Sequence, residues 1–195
     1  MDYEAIRRYF PWANAAYGQN DTNSAPIPVG NSQPVVVKGF EATSGSAFDG
    51  ALYKDATTGR YTLAFAGSVQ KEDWIGADPV LAGQTLTSVI GVWAGSWHPQ
   101  LTDALNFTYE AIKQIRVDLI NAGKQTPTMD DIRAVLDVTG HSLGGAQAEM
   151  VAKLLGIPGA NIDGPGVTTL VSLKQYTDLR DKLVADPELI GMQSN

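Results

Sequence analysis

The chain has 195 residues, of which 44% are apolar and 18% charged, an ordinary composition for one globular domain with its own core. The net charge of −7 excludes nucleic acid as an expected partner, because phosphate binding needs a face rich in lysine and arginine. No cysteine is present, which excludes disulfides, cysteine-ligated zinc and thiol catalysis. We expect a single domain over residues 1–195 that needs no metal or cofactor.

The N-terminus lacks the basic start and apolar run of a signal peptide over residues 1–8. Three interpretations of the localisation stay open: a cytoplasmic protein, export without a cleaved leader, and loss of a leader. The sequence does not determine the oligomeric state.

The first predicted elements form a β-hairpin. Residues 18–34 are rich in Gly, Asn, Ser and Pro and predict a loop, and 34–37 predict the start of a strand. Two strand-like runs, 48–53 and 61–66, flank the turn-rich segment 54–60. This pattern predicts an antiparallel hairpin at about 48–66.

Residues 79–97 contain no charge but are too polar for a stable membrane span. We interpret them as a partly apolar surface segment near the site. Trp93 and Trp97 would then form a flap or wall that favours acyl chains or other apolar esters. The alternative is a packed surface loop with ordinary core tryptophans.

Apolar residues recur at helical spacing from Leu101 to Ala122, and Gly123 follows as a C-terminal cap. Beyond it the pattern alternates strand, helix, strand and helix, at Ala134–Thr139, Gly145–Leu155, Ala160–Asp163 and Leu170–Val184. This alternation predicts an α/β fold with a central, mostly parallel sheet and helices on both faces.

Gly140-His141-Ser142-Leu143-Gly144 matches the G-x-S-x-G pattern between a predicted strand and a predicted helix. A turn this tight strains its tip, and side chains in place of Gly140 and Gly144 would collide with the neighbouring strand and helix. We predict Ser142 as a nucleophile and the Leu143 N–H as an oxyanion donor. The alternative is a glycine-rich turn that binds an anion or has no function. His141 is interpreted as a packing residue or as a residue that shapes the pocket, not as the base.

Further motifs occur in a fixed order along the chain: Phe65-Ala66-Gly67-Ser68, Asp73-Trp74, Gly140 to Gly145, and Asp163-Gly164-Pro165-Gly166. In this order the sequence resembles class 3, fungal-type lipases, and the last element is similar to that of bacterial members. The resemblance covers roughly residues 48–166. It implies an α/β-hydrolase fold and a lipase or esterase activity.

By this resemblance, Ser68 corresponds to the first oxyanion residue, whose N–H would join that of Leu143. The alternative for Ser68 is a hydroxyl that closes a turn. Asp73 and Trp74 are interpreted as a structural corner, and a metal pair of Asp73 with Asp78 has no supporting ligand spacing.

The catalytic base is missing from the expected place. In this fold the chain order is serine, acid, histidine, yet the only histidines are His98 and His141. The aspartates after Ser142 are Asp163, Asp178, Asp181 and Asp186. We therefore expect a truncated chain whose complete domain would continue past Asn195 to an acid and a histidine. A rewired triad that uses His98 is the alternative.

Three functions follow from these observations. The first is a serine carboxylester hydrolase that acts on a small-molecule or lipid ester. The second is a non-catalytic binding protein that kept the turn and lost the base. The third is a serine acyltransferase with the same site and a different acceptor.

Overall fold

The structure is a computed structural model, and it describes residues 3–17, 27–44, 46, 48–67 and 99–185. Strands and helices alternate through most of these ranges. The strands are β1 (Ser32–Val35), β2 (Gly50–Asp55), β3 (Tyr61–Phe65), β4 (Leu136–His141) and β5 (Gly159–Ile162). The helices are α1 (Tyr3–Ala16), α2 (Pro99–Asn121), α3 (Met129–Val135), α4 (Leu143–Leu155) and α5 (Lys174–Ala185), with a 3-10 turn at Leu170–Ser172.

The five strands form one sheet in the order β1-β2-β3-β4-β5. β2 pairs antiparallel with both β1 and β3, whereas β3, β4 and β5 pair in parallel. Four of the five strands therefore run in the same direction. This confirms the predicted hairpin and the mostly parallel sheet.

Side chains alternate between the two faces of the sheet, and each face is covered by helices. Leu63, Phe65 and Val138 lie in the larger core cluster with residues of α2 and α4. Ala64 and Ala66 point the other way and pack with the last alanines of α1. The chain thus has the predicted α/β-hydrolase-like arrangement, with helices on both faces of a central sheet.

The predicted end of α2 is confirmed. Gly123 has φ 101°, a left-handed conformation that glycine adopts without steric cost. Its N–H bonds the Ile120 carbonyl, and the Lys124 N–H bonds that of Leu119. These two bonds satisfy carbonyl groups that the end of a helix leaves unpaired.

The predicted strand at Ala134–Thr139 is wrong at its start, because Ala134 and Val135 belong to α3. A capping box begins this short helix: Thr128 accepts a bond from the Asp131 N–H, and Asp131 accepts one from the Thr128 N–H. Two backbone donors are thereby satisfied, which stabilises a helix over a sequence that is also apolar enough for a strand.

Other element boundaries also differ from the predictions. The single helix predicted over Leu170–Val184 is a 3-10 turn followed by α5, and β1 begins two residues before the predicted 34. The α1 helix was not predicted at all. No helix within the described ranges is long and apolar enough to cross a membrane.

Polar contacts attach α1 to the sheet at the start of β4. The buried carboxylate of Asp137 accepts hydrogen bonds from Arg8 at 3.1 Å and from Arg60 at 2.8 Å, and burial together with this carboxylate's charge raises the pKa of the nearby Tyr9 hydroxyl. Because the Asp137 side chain is only 5% exposed, removing a partner would leave a buried charge under-compensated. This cluster aligns α1 with β4.

A second polar cluster joins α2 to the hairpin and gives a pH prediction. Asp118 accepts hydrogen bonds from Tyr61 at 2.6 Å, Lys54 at 3.3 Å and Gln114 at 3.2 Å. Burial raises the pKa of the Asp118 carboxyl, but the bonds from Tyr61 and Lys54 outweigh it, so the net pKa is lowered.

We expect the Asp118 carboxylate to stabilise the fold above its ordinary pKa, with this contribution lost as the pH falls through the lowered value. In urea titrations between pH 2 and pH 7, Asp118→Asn should therefore reduce the acid dependence of the free energy of unfolding. Asp178→Asn, a change at an exposed helical ion pair, serves as the control. Equal acid dependence in Asp118→Asn and the parent chain would contradict the prediction.

Candidate active site

Ser142 lies on the predicted strand-to-helix turn, between the end of β4 and the start of α4. Its backbone has φ 56° and ψ −126°. Within the described ranges only Ser142 and Asp163 have a positive φ without being glycine. A side chain in this conformation costs about 1–3 kcal/mol, and such strain is concentrated at functional sites.

Glycines flank Ser142 because the backbone is too close for side chains. A β-carbon on Gly140 would lie 2.0 Å from the carbonyl oxygen of Gly144. A β-carbon on Gly144 would lie 2.2 Å from the carbonyl oxygen of Phe65. Contacts below 3.0 Å to backbone atoms cannot be relieved by a rotamer change, so the turn requires glycine at both positions.

The end of β3 lies directly beside Ser142. Phe65 pairs with Gly140 in the parallel ladder, so the chain leaves β3 at the same edge of the sheet where it leaves β4. A β-carbon on Gly67 would lie 3.0 Å from the Ser142 β-carbon. Open α/β sheets bind ligands at this edge, outside the carboxyl ends of the strands.

The first turn of α4 contains an available donor. The Ser142 N–H bonds the Ile162 carbonyl, whereas Gly145 and Ala146 donate to the Ser142 carbonyl. The Leu143 N–H, at the first helical position, has no such partner within the described ranges. It therefore remains available at the N-terminus of α4, where the helix dipole favours negative charge, while the Leu143 side chain is fully buried in the core.

The histidine next to Ser142 is hydrogen-bonded to a tyrosine. His141 Nδ1 lies 2.7 Å from the Tyr17 hydroxyl. The Ser142 hydroxyl has no hydrogen-bond partner in the part of the chain that the structure describes. His141 therefore supplies no base to Ser142 through Nδ1, in agreement with its interpretation as a packing residue.

No family model matches the sequence, and no curated protein matches it at a significant level. Two solved structures of Lip2 lipase from Yarrowia lipolytica are similar to the chain. One, of the non-glycosylated protein, has 17% identity and a TM-score of 0.45; the other has 19% identity and a TM-score of 0.43.

These alignments cover 83% and 77% of this chain but only 56% and 53% of the lipase chains. The chain thus spans about half the length of the structures it is similar to. At this level of identity the likeness concerns the fold alone.

Asn161, for which the sequence predicted no role, lies on β5 and stabilises the turn at Ser142 through hydrogen bonds. Its amide donates to Glu149 on α4 at 2.8 Å and accepts from the Gly164 N–H at 2.9 Å. A β-carbon on Gly145 would lie 2.3 Å from the Asn161 oxygen, so α4 packs directly against this side chain. A polar residue inside a short, otherwise apolar strand was the signal that could have identified it.

The structure brings none of the described downstream acids to Ser142 as a hydrogen-bond partner. Asp163 follows β5 with φ 52° and is exposed. Asp178 and Asp181 lie on α5 in exposed ion pairs with Lys174 and Arg180. Surface pairs of this kind contribute little energy and orient no catalytic group.

Several predicted residues lie outside the described residues: Ser68, Asp73, Trp74, Asp78, residues 79–97, His98 and Asp186. The second oxyanion donor, the proposed flap and the alternative base therefore stay predictions. Within the described ranges, no three histidine, cysteine or acidic side chains are grouped so that they could hold a metal ion.

Proposed function

We propose that this chain contributes the nucleophile and oxyanion part of a serine carboxylester hydrolase site, with Ser142 as the nucleophile. The observation that supports it most is the strained backbone of Ser142 at a strand-to-helix turn whose flanking glycines admit no side chain. A serine that served only to cap a helix would have no need of this strain, and its side chain makes no cap hydrogen bond here.

The proposed reaction is acyl transfer. Ser142 Oγ attacks the ester carbonyl carbon and its proton passes to a general base, while the carbonyl oxygen becomes an oxyanion. The Leu143 N–H and the N-terminus of α4 stabilise that charge, with the predicted Ser68 N–H as the second donor. Collapse releases the alcohol, and water then cleaves the Ser142 ester. The substrate would be a carboxylic ester, including lipid esters.

One observation fits a second function, a non-catalytic binding protein, as well as it fits the first. The Ser142 hydroxyl has no partner in the described ranges, and the described histidine is bonded to Tyr17. Without a base, serine is a weak nucleophile at neutral pH. A binding protein on a hydrolase scaffold would show this arrangement, and so would a hydrolase whose base lies outside the described residues.

Covalent labelling with a fluorophosphonate tests the proposed function. We expect the parent chain to incorporate the reagent at Ser142, located by peptide mass spectrometry, and Ser142→Ala to incorporate none. No label on the parent chain would favour the binding protein, and label at another serine would contradict the assignment of Ser142.

Ester hydrolysis by the same samples separates the remaining cases. If only the oxyanion donors and binding operate, we expect a residual rate enhancement on the order of 10³–10⁴ over water. Robust turnover abolished by both Ser142→Ala and His98→Ala would show instead that His98 is the base. Product analysis with an added alcohol distinguishes acyl transfer from hydrolysis.

A further inference from the structure

Tyr17, directly after α1, joins two chain segments at the candidate site. Its hydroxyl lies 2.7 Å from His141 Nδ1 at the end of β4. The backbone of Gly67, two residues after β3, packs against the same oxygen: a β-carbon there would lie 2.8 Å from it, and the Gly67 N–H acts on it as a hydrogen-bond donor. A single side chain therefore connects the ends of the two strands that meet beside Ser142.

The contact between Tyr17 and Gly67 lies directly after the last hydrogen bonds that connect β3 to the sheet. The β3–β4 ladder ends at Phe65 and Gly140, and the Ala66 N–H bonds the Asp49 carbonyl. The next amide, that of Gly67, finds its acceptor on Tyr17 instead of on a strand. Beyond the last ladder pair, the Tyr17 hydroxyl is thus the group that holds the main chain at Gly67 in place.

The distances show how tightly these groups pack. A β-carbon on Gly67 would lie 2.8 Å from the Tyr17 oxygen, 3.0 Å from the Ser142 β-carbon and 3.1 Å from the His141 carbonyl oxygen. A side chain at position 67 would therefore require Tyr17, Ser142 or His141 to shift. A change in the Tyr17 contact would alter the spacing between Gly67 and Ser142.

The hydrogen-bond directions follow from the groups involved. An amide only donates, so the Tyr17 oxygen is the acceptor from Gly67. Its own O–H is donated to His141 Nδ1 when that nitrogen carries no proton, and in the other histidine tautomer the Tyr17 oxygen accepts a second hydrogen bond. Burial raises the pKa of the Tyr17 hydroxyl, the Gly67 bond lowers it and the nearby Asp49 raises it, with a net increase. At neutral pH the phenol keeps its proton.

We propose that Tyr17 is a positioning residue of this site: it sets the spacing between the end of β3 at Gly67 and Ser142, and so the geometry in which an ester carbonyl is held. This proposal rests on the proposed function of Ser142. Tyr17 touches no reacting atom and acts through the backbone of Gly67.

Tyr9 supplies a matched control. It also comes from α1 and its hydroxyl also lies beside a side chain of β4, but that side chain is Asp137 at the opposite end of the strand. Each substitution by phenylalanine removes one oxygen, from a buried tyrosine at position 9 and from a partly buried one at position 17. We expect comparable, small losses of stability, and only Tyr17→Phe should affect the site.

The test is the rate of fluorophosphonate labelling at Ser142 as a function of reagent concentration, which separates the maximal rate from the affinity. We expect Tyr17→Phe to lower the maximal rate about 10- to 100-fold, because misplacement by 1 Å can cost about 10²-fold. The half-saturating concentration should stay within about twofold. Tyr9→Phe should label at a rate within about twofold of the parent chain.

Equal labelling of Tyr17→Phe and the parent chain would overturn the proposal, as would an equal slowing in Tyr9→Phe, which would indicate general loosening. In both cases the parent chain is labelled and the proposed function stands. A parent chain without label at Ser142 would instead refute the proposed function, and the positioning role with it.

Amide hydrogen exchange keeps the proposal testable if Tyr17→Phe does not fold. In the parent chain the Gly67 amide should be protected by its bond to Tyr17, as the Phe65 amide is protected by the β-ladder. In a folded Tyr17→Phe variant it should exchange at least about tenfold faster while Phe65 is unchanged. An unprotected Gly67 amide in the parent chain would refute the proposal.

Discussion

Gly140→Ala is expected to lower the free energy of unfolding by about 3 kcal/mol and to abolish labelling of Ser142. The new β-carbon would lie 2.0 Å from the Gly144 carbonyl oxygen and 2.9 Å from that of Phe65. Both obstacles are backbone atoms, so relief requires β4 to separate from β3 or from the start of α4. Urea unfolding measures the loss of stability, and fluorophosphonate labelling measures the loss of the site.

Gly166→Ala is the matched control for this prediction. Gly166 lies after β5, and a β-carbon there would meet nothing within 4 Å. We expect its free energy of unfolding to change by no more than about 0.5 kcal/mol and its labelling to be that of the parent chain. A Gly140→Ala variant as stable as Gly166→Ala would show that the turn at Ser142 can accommodate a side chain at position 140.

Ser142→Gly is expected to be more stable than Ser142→Ala, although both lose labelling completely. The backbone at φ 56° and ψ −126° strains any residue with a β-carbon, at a cost of about 1–3 kcal/mol. Glycine removes this strain but makes the unfolded chain more flexible, which offsets about 0.4–1 kcal/mol. The difference should therefore be about 1 kcal/mol, or roughly 2–4 °C in Tm.

Alanine is the informative reference here because it removes the hydroxyl and keeps the strain. A glycine variant that is no more stable than the alanine variant would mean that Ser142 is not strained. The main support for the proposed function would then be lost. A more stable glycine variant would show that stability is given up at this position for the placement of a hydroxyl.

Local patterns were sufficient for several elements. The hairpin at 48–66 follows from two short runs of strand-forming residues around a turn, and α2 follows from apolar residues at helical spacing. The turn at Ser142 follows from two glycines between an apolar run and a helix. In each case the residues that determine the element are neighbours in sequence, so the pattern contains the physical cause.

Other elements depend on contacts that no local pattern shows. α1 contains Pro11, which removes a helical N–H and argues against a helix, yet the helix is attached to β4 by Arg8 and Tyr9 through Asp137. In α3 the apolar run suggested a strand, and the capping box at Thr128 and Asp131 favoured a helix. Packing and capping outweighed propensity at both places.

The sequence by itself determined that Ser142 would lie at the tip of a strand-to-helix turn, because its flanking glycines and the elements on both sides are local. Only the tertiary structure decided what lies beside that serine. The parallel pairing of β3 with β4 brings Gly67 to its side. The packing of α1 brings Tyr17 to His141 across 124 residues of chain. A hydrogen bond between residues so far apart depends on how the helix and the sheet pack together, and neither side of the pair contains a signal for the other.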